Sequence, residues 1–205
     1  MHKIDVDQGS FEWHQLRHGN VTGTSLKSAI GSPAVQKTLL NKIVSERMTE
    51  VQINDASSSA MDRGNELEPV ARRAVIKKTG LKFIETGLLV SENVDGFKIS
   101  PDGIFEKDGK IIGGLEIKCP GSGKHVEYLI QGGVPKEYMT QVAAPFIMSD
   151  DIQWWYFASF DDRNYERPLF IYKVEASSIP DIQQSREKLS EFLSRVETQH
   201  SALTF

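Results

Sequence analysis

Apolar residues recur at helical spacing after Ser32, at Val35, Leu39, Leu40, Ile43 and Met48. Ser32 stands where a cap belongs and Pro33 at a first helical position, so the pattern predicts a helix starting there. A second helix is predicted over about 60–78, with Ser59 as its cap and Gly80 as its end. The polar stretch 54–59 before it reads as a loop. The middle of the chain then turns to β-forming residues, predicting strands over 83–90, 97–100 and 113–118. In the last of these, Leu115 and Ile117 fall on one face, Glu116 and Lys118 on the other. A helix follows Pro135 to about Met148, then strands over 153–160 and 169–175, then an amphipathic helix over about 180–197. There is no internal repeat. Helices first, then a mixed sheet with interleaved helices, predict an α/β or α+β fold.

Composition narrows the picture. A length of 205 residues suits one domain, 1–205, with its own core. With 24 basic and 28 acidic side chains the net charge is −4, so a protein that coats nucleic acid through general basicity is disfavoured. The single cysteine, Cys119, excludes a disulfide within the chain, a Cys-rich zinc site and an iron–sulfur cluster. No apolar run is long enough to span a membrane, and residues 1–10 lack the apolar core of a signal peptide. A cytoplasmic location is the expectation.

The chemistry concentrates in Ser100-Pro101-Asp102-Gly103 and Leu115-Glu116-Ile117-Lys118. Glu116 and Lys118 share one strand face. The turn between Pro101 and Gly103 is placed to bring the Asp102 carboxylate to the same point. Two carboxylates suit magnesium, which takes one or two of them plus waters and phosphate oxygens. The adjacent Lys118 can orient or help deprotonate an attacking water and can stabilise charge on the phosphate. Alone, Glu-x-Lys on a strand is more often a solvated pair worth under ~1 kcal/mol; the upstream Ser-Pro-Asp-Gly tips the balance. Glu68 borders the apolar stripe of Gly64, Ala71 and Val75, so it wants a metal or a partner; an ion pair with Arg72, four residues on, is the competing reading. Gln141 shares a face with Tyr138, Val142 and Pro145, and is read either as an amide bonding Lys118 or substrate, or as a core-edge amide bonded to backbone.

At these residues the chain resembles the phage lambda exonuclease family, the YqaJ-type viral recombinases. The resemblance runs through Trp13-His14-Gln15-Leu16-Arg17, Val21-Thr22-Gly23-Thr24, Gly64-Asn65-Glu66-Leu67-Glu68, the two motifs above with Cys119-Pro120, Tyr138-Met139-Thr140-Gln141-Val142 and Trp155-Tyr156-Phe157-Ala158. It implies a PD-(D/E)xK, restriction-endonuclease-like fold with a central mixed sheet flanked by helices, and a metal-dependent 5′→3′ exodeoxyribonuclease acting on double-stranded DNA ends to leave 3′ single-stranded overhangs. It implies two magnesium or manganese ions held by Asp102, Glu116, the Ile117 carbonyl and Glu68, with Lys118 and Gln141 in catalytic roles. It also implies a 5′-phosphate pocket of Arg17, Thr24 and Ser100, assembly as a ring trimer, and a single-strand annealing protein as partner. One departure is Ala143-Ala144-Pro145 after Gln141-Val142, where relatives often keep a second glutamine; Pro145 removes a helical N–H and is expected to kink the helix.

Other residues receive plainer readings. Trp13 is expected as a core anchor, 154–157 as a buried strand, and Thr24 alternatively as the cap of a short helix over 25–30. His14, His18 and His125 are expected at the surface or locally bonded, and Cys119 as packing. Two further readings remain open: an endonuclease of the same fold, and a non-catalytic DNA-binding or scaffold protein.

Overall fold

The computed structural model describes residues 1–51 and 59–204, with the side chains of 59–61 excepted. The loop expected over 54–59 and the cap expected at Ser59 fall largely outside the described positions. The strands divide into two four-stranded mixed sheets. The first joins β1 (His2–Ile4), β3 (Leu88–Val90), β4 (Phe97–Ile99) and β2 (Val21–Thr22), in that order. The second runs β5 (Gly103–Lys107), β6 (Lys110–Lys118), β7 (Trp154–Phe160), β8 (Leu169–Glu175). Around them lie α1 (Phe11–Arg17), α2 (Leu26–Ala29), α3 (Pro33–Arg47), α4 (Ser59–Thr79), α5 (Ser122–Gln131), α6 (Met139–Met148) and α7 (Ile182–Leu203). Among the described residues, no helix is long and apolar enough to cross a membrane.

The second sheet positions the motif residues. Asp108 and Gly109 both have positive φ, the conformation of a tight two-residue hairpin turn, and they fold β5 back onto β6. β6 then pairs in parallel with β7, Gly113 opposite Trp154 and Gly114 opposite Trp155. A Cβ on Gly114 would lie 2.2 Å from the Trp155 ring, so the bare backbone is what lets the indole cross the strand. Side chains of β7 alternate as the pleat requires. Trp154, Ala158 and Phe160 join Leu115, Ile117 and the Ala71 and Val75 of α4 in one apolar layer. Trp155 and Phe157 join Tyr128 of α5 and Val142 of α6 in the other. Leu115 and Ile117 therefore face α4, and Glu116 faces α6.

Several elements differ from the sequence pattern. Only Leu88–Val90 of the 83–90 stretch pairs as a strand, with Ile84 making an isolated bridge to Ile104. On α3 the buried stripe is Leu39, Ile43 and Val44, whereas Val35 and Met48 are exposed. The helix expected after Pro135 begins at Met139, and it runs on through Pro145 unbroken. The closing helix extends to Leu203. His125 is fully buried, with Nδ1 2.7 Å from the Ser159 hydroxyl and Nε2 2.8 Å from the Arg167 carbonyl, so it is a core residue and not a surface one.

Candidate active site

Asp102 precedes β5 by one residue. Its N–H donates to the Leu115 carbonyl at 3.1 Å, and its carboxylate accepts from the Ile117 N–H. The N–H and C=O of one strand residue point the same way, so the Ile117 carbonyl also faces the sheet edge where Asp102 sits. β5 ends there, and that side of Ile117 is left to the Asp102 side chain instead of to a strand partner.

Glu116, only 5% exposed, accepts two hydrogen bonds at a single oxygen, from the Lys118 ammonium and from the Gln141 amide. Gln141 thus bonds Glu116, not Lys118. It reaches there because β6 turns Glu116 toward the first turn of α6. The Lys118 ammonium also lies 5.2 Å from the centre of the Tyr138 ring, which stacks on Phe157.

These charges shape one another. Burial pushes the Asp102 carboxyl well above the usual carboxylate range, and neighbouring Glu116 and Glu68 push it further. Lys118 and the Ile117 N–H pull the other way without prevailing. For Lys118 burial favours the neutral amine, but the Glu116 and Asp102 carboxylates outweigh it and raise its pKa. Burial likewise raises the Cys119 thiol to about 11, which suits a packing role and not a nucleophile.

Glu68 lies across the sheet edge on α4 and is paired with Arg72. Burial raises its carboxyl, Arg72 opposes that, and Glu85 and Glu116 add to it. Arg72 is itself buried; it also pairs with Glu85 and donates from Nε to the Asp102 carbonyl at 2.7 Å. It thus holds the Asp102 turn in place. The Glu68–Arg72 spacing of four was visible in the sequence, but nothing there indicated the bond to the Asp102 backbone. Among the described residues, no three His, Cys, Asp or Glu side chains gather as a ready metal cluster. Asp102 and Glu116 do fit a hard divalent cation. They are two oxygen donors whose mutual repulsion is written into the Asp102 carboxyl, with a backbone carbonyl beside them.

A cavity of about 30 Å³ opens next to this pair, lined by Arg17, Thr24, Ser100, Glu116, Gln141 and Trp155 among others. The structure so brings Arg17, Thr24 and Ser100 to within one cavity of Glu116. Arg17 donates to the Ser100 hydroxyl at 2.8 Å. Burial lowers its pKa to about 10, which still leaves it charged at neutral pH. Thr24 is exposed, 3.1 Å from the Thr22 hydroxyl, and it is Ser25, not Thr24, that precedes α2. Trp13 is no core anchor: it is half-buried, beneath the Arg17 guanidinium. The spacing of four between Trp13 and Arg17 on α1 was the available sign. A larger cleft of about 710 Å³ lies on the other side of Pro101 and Asp102, lined by Glu68, Arg72 and Glu85 among others.

The sequence profile of the YqaJ-like viral recombinase domain matches residues 12–151. Among solved structures, the chain is similar to an alkaline exonuclease (LHK-Exo) from Laribacter hongkongensis. The two share 30% identity over 95% of this chain and 96% of that one, with a TM-score of 0.83. The complex of LHK-Exo with dAMP matches at 31% identity and a TM-score of 0.82, with the same coverage. A phage-related exonuclease from Haemophilus somnus 129PT, 12% identical over 94% of this chain and 99% of that one, has a TM-score of 0.63 and shares the fold. No curated protein matches this chain.

Proposed function

This chain belongs to the YqaJ-like viral recombinase domain family, and on that premise we propose that it is a metal-dependent 5′→3′ exodeoxyribonuclease acting on the ends of double-stranded DNA. The observation that carries the reading is the cavity where Arg17, Thr24 and Ser100 stand against Glu116 and Gln141. A guanidinium and two hydroxyls beside a carboxylate pair suit a terminal phosphate held next to the bond to be cut. The likeness to an alkaline exonuclease supports the same chemistry.

Asp102, Glu116 and the Ile117 carbonyl would hold magnesium or manganese. Glu68 would contribute to a second ion on release from Arg72. When bound, the cation would activate a water and stabilise charge on the phosphate oxygens. The chain's own residues do the rest. Gln141 and Lys118 fix one Glu116 oxygen, leaving the other free to turn toward the site edge. Lys118, paired with Glu116, orients the attacking water and neutralises charge building on the phosphate. Arg17, Thr24 and Ser100 set the register by gripping the 5′ end. A ring trimer threaded by DNA, working in the cytoplasm beside a single-strand annealing protein and leaving 3′ overhangs, belongs to the same reading.

The deciding experiment is digestion in magnesium of linear duplex with 5′-phosphate or 5′-hydroxyl ends, beside closed circular duplex, with Glu116→Ala as control. Loss of linear DNA from its 5′ ends, a spared circle and an inert variant are expected. Cutting of the circle would make the protein an endonuclease, and no cleavage in magnesium or manganese would make it a binding protein. In the same assay Arg17→Ala should reduce the preference for 5′-phosphate by about 10- to 100-fold, as expected for hydrogen bonds to a charged group. An unchanged preference would remove Arg17 from the pocket.

A further inference from the structure

The Ser100 hydroxyl receives two donors. Trp13 Nε1 lies 2.9 Å from it and Arg17 Nη1 lies 2.8 Å from it. Neither an indole N–H nor a guanidinium can accept a hydrogen bond. Both lone pairs of the Ser100 oxygen are therefore occupied, and its own proton has to be donated elsewhere. Among the described residues, no acceptor takes that proton, and Ser100 lines the cavity. The same indole lies under the Arg17 guanidinium, 4.1 Å from ring centre to the guanidinium carbon. Stacking fixes the plane of the guanidinium without consuming its N–H groups. Trp13 is fixed in turn: Ser10 caps its backbone N–H at 3.1 Å, and its Nε1 is shared with the Gly87 carbonyl at 3.2 Å.

We propose that Trp13 is a positioning residue that sets the anion selectivity of the cavity, by turning the Ser100 hydroxyl into an obligate donor and holding the Arg17 guanidinium in plane. The proposal rests on the reading of the cavity as the 5′-phosphate pocket. A hydroxyl with a free lone pair can serve a 5′-hydroxyl end nearly as well as a phosphate, because it can accept from the one and donate to the other. With both lone pairs engaged it can only donate, so a 5′-hydroxyl gains no acceptor from Ser100. Trp13 thereby raises discrimination without touching the substrate.

The test compares cleavage of 5′-phosphate and 5′-hydroxyl duplexes by Trp13→Phe, Ser100→Ala, the double variant and Arg17→Ala. Phenylalanine keeps an aromatic face for Arg17 and removes only the N–H. Trp13→Phe should lower the phosphate-to-hydroxyl rate ratio about fivefold to tenfold, the effect of one hydrogen bond, by speeding the hydroxyl end and leaving the phosphate end near its original rate. In the Ser100→Ala background the same change should have little further effect, since the two act through one oxygen. Three results overturn the inference. An equal loss on both ends would make Trp13 a structural anchor. An undiminished effect in the Ser100→Ala background would sever it from Ser100. An unchanged ratio in Trp13→Phe, with Arg17→Ala losing its preference, would leave the pocket standing without Trp13. If Arg17→Ala and Ser100→Ala both keep the preference, the pocket reading itself fails and takes this one with it.

Discussion

Lys118→Ala is expected to slow cleavage by about 10²–10³-fold, the range for removing one preorganised charge or donor from a reacting oxyanion, while DNA affinity stays within a few-fold. The ammonium is largely enclosed and bonds Glu116, so it contributes little to the surface that DNA meets. Its loss acts on the site twice. The charge opposing build-up on the phosphate disappears, and so does a cation that holds the Asp102 carboxyl down. Glu116 keeps one donor, the Gln141 amide, so its carboxylate is not stranded. Lys118→Arg should rescue poorly, because a planar fork on a longer stem cannot take the position of a compact ammonium above the Tyr138 ring. Single-turnover cleavage and equilibrium binding, measured with a thermal melt of each variant, check this. Loss of binding or of folding along with cleavage would make Lys118 structural.

The parts of this site that lie on one strand were legible in the sequence, because a strand has only two faces. Alternation alone put Glu116 and Lys118 together and opposed them to Leu115 and Ile117, and the structure has that arrangement. The Asp102 turn was legible as chain reversal, but not its partner: the Ile117 N–H is free for it only because β5 begins at Gly103, opposite Leu115. The turn that makes the hairpin, Asp108-Gly109, is a strong local signal that a strand reading centred on 113–118 passed over. Short strands such as Val21–Thr22 carry no periodicity and exist only through pairing with Phe97–Lys98. Contacts between distant segments were the least legible. Nothing in a single chain says that Arg72 will bond the backbone of Asp102, thirty positions on, or that Trp13 will meet Ser100. The same holds for His125, whose partners Ser159 and Arg167 come from β7 and the turn beyond it. Resemblance to a family supplied Arg17, Thr24 and Ser100 as a group; spacing alone would have left them as separate surface residues.

Asp102→Asn should abolish cleavage and yet make the metal-free protein more stable. The Asp102 carboxyl binds its proton more tightly in the folded chain than its ordinary value near 3.8 implies, chiefly because of burial and then because of Glu116. The folded state thus holds more protons than the unfolded one, and stability falls as pH rises from the ordinary value through the folded-state value. Below that window the carboxyl is protonated in both states and costs nothing; above it the full cost is present. Asparagine is neutral throughout and keeps an oxygen to accept from the Ile117 N–H, so the variant loses the cost without losing the bond. Each tenfold in proton affinity corresponds to about 1.4 kcal/mol, and 1 kcal/mol moves the melting temperature of a chain this size by about 2–4 °C. In chelator near neutral pH the variant should therefore melt above the unsubstituted protein, with the gap closing as pH falls toward 4. Magnesium should raise the melting temperature of the unsubstituted protein and leave the variant nearly unmoved, because a cation between Asp102 and Glu116 offsets the cost of the buried charge that asparagine removes. A variant that melts lower at neutral pH would mean that the carboxylate is structural, held by Arg72, Ile117 and Lys118 in a network that needs its charge. A variant that melts higher would mean that the fold keeps a buried carboxylate beside Glu116 at a cost, first of burial and then of repulsion, which a bound cation would offset.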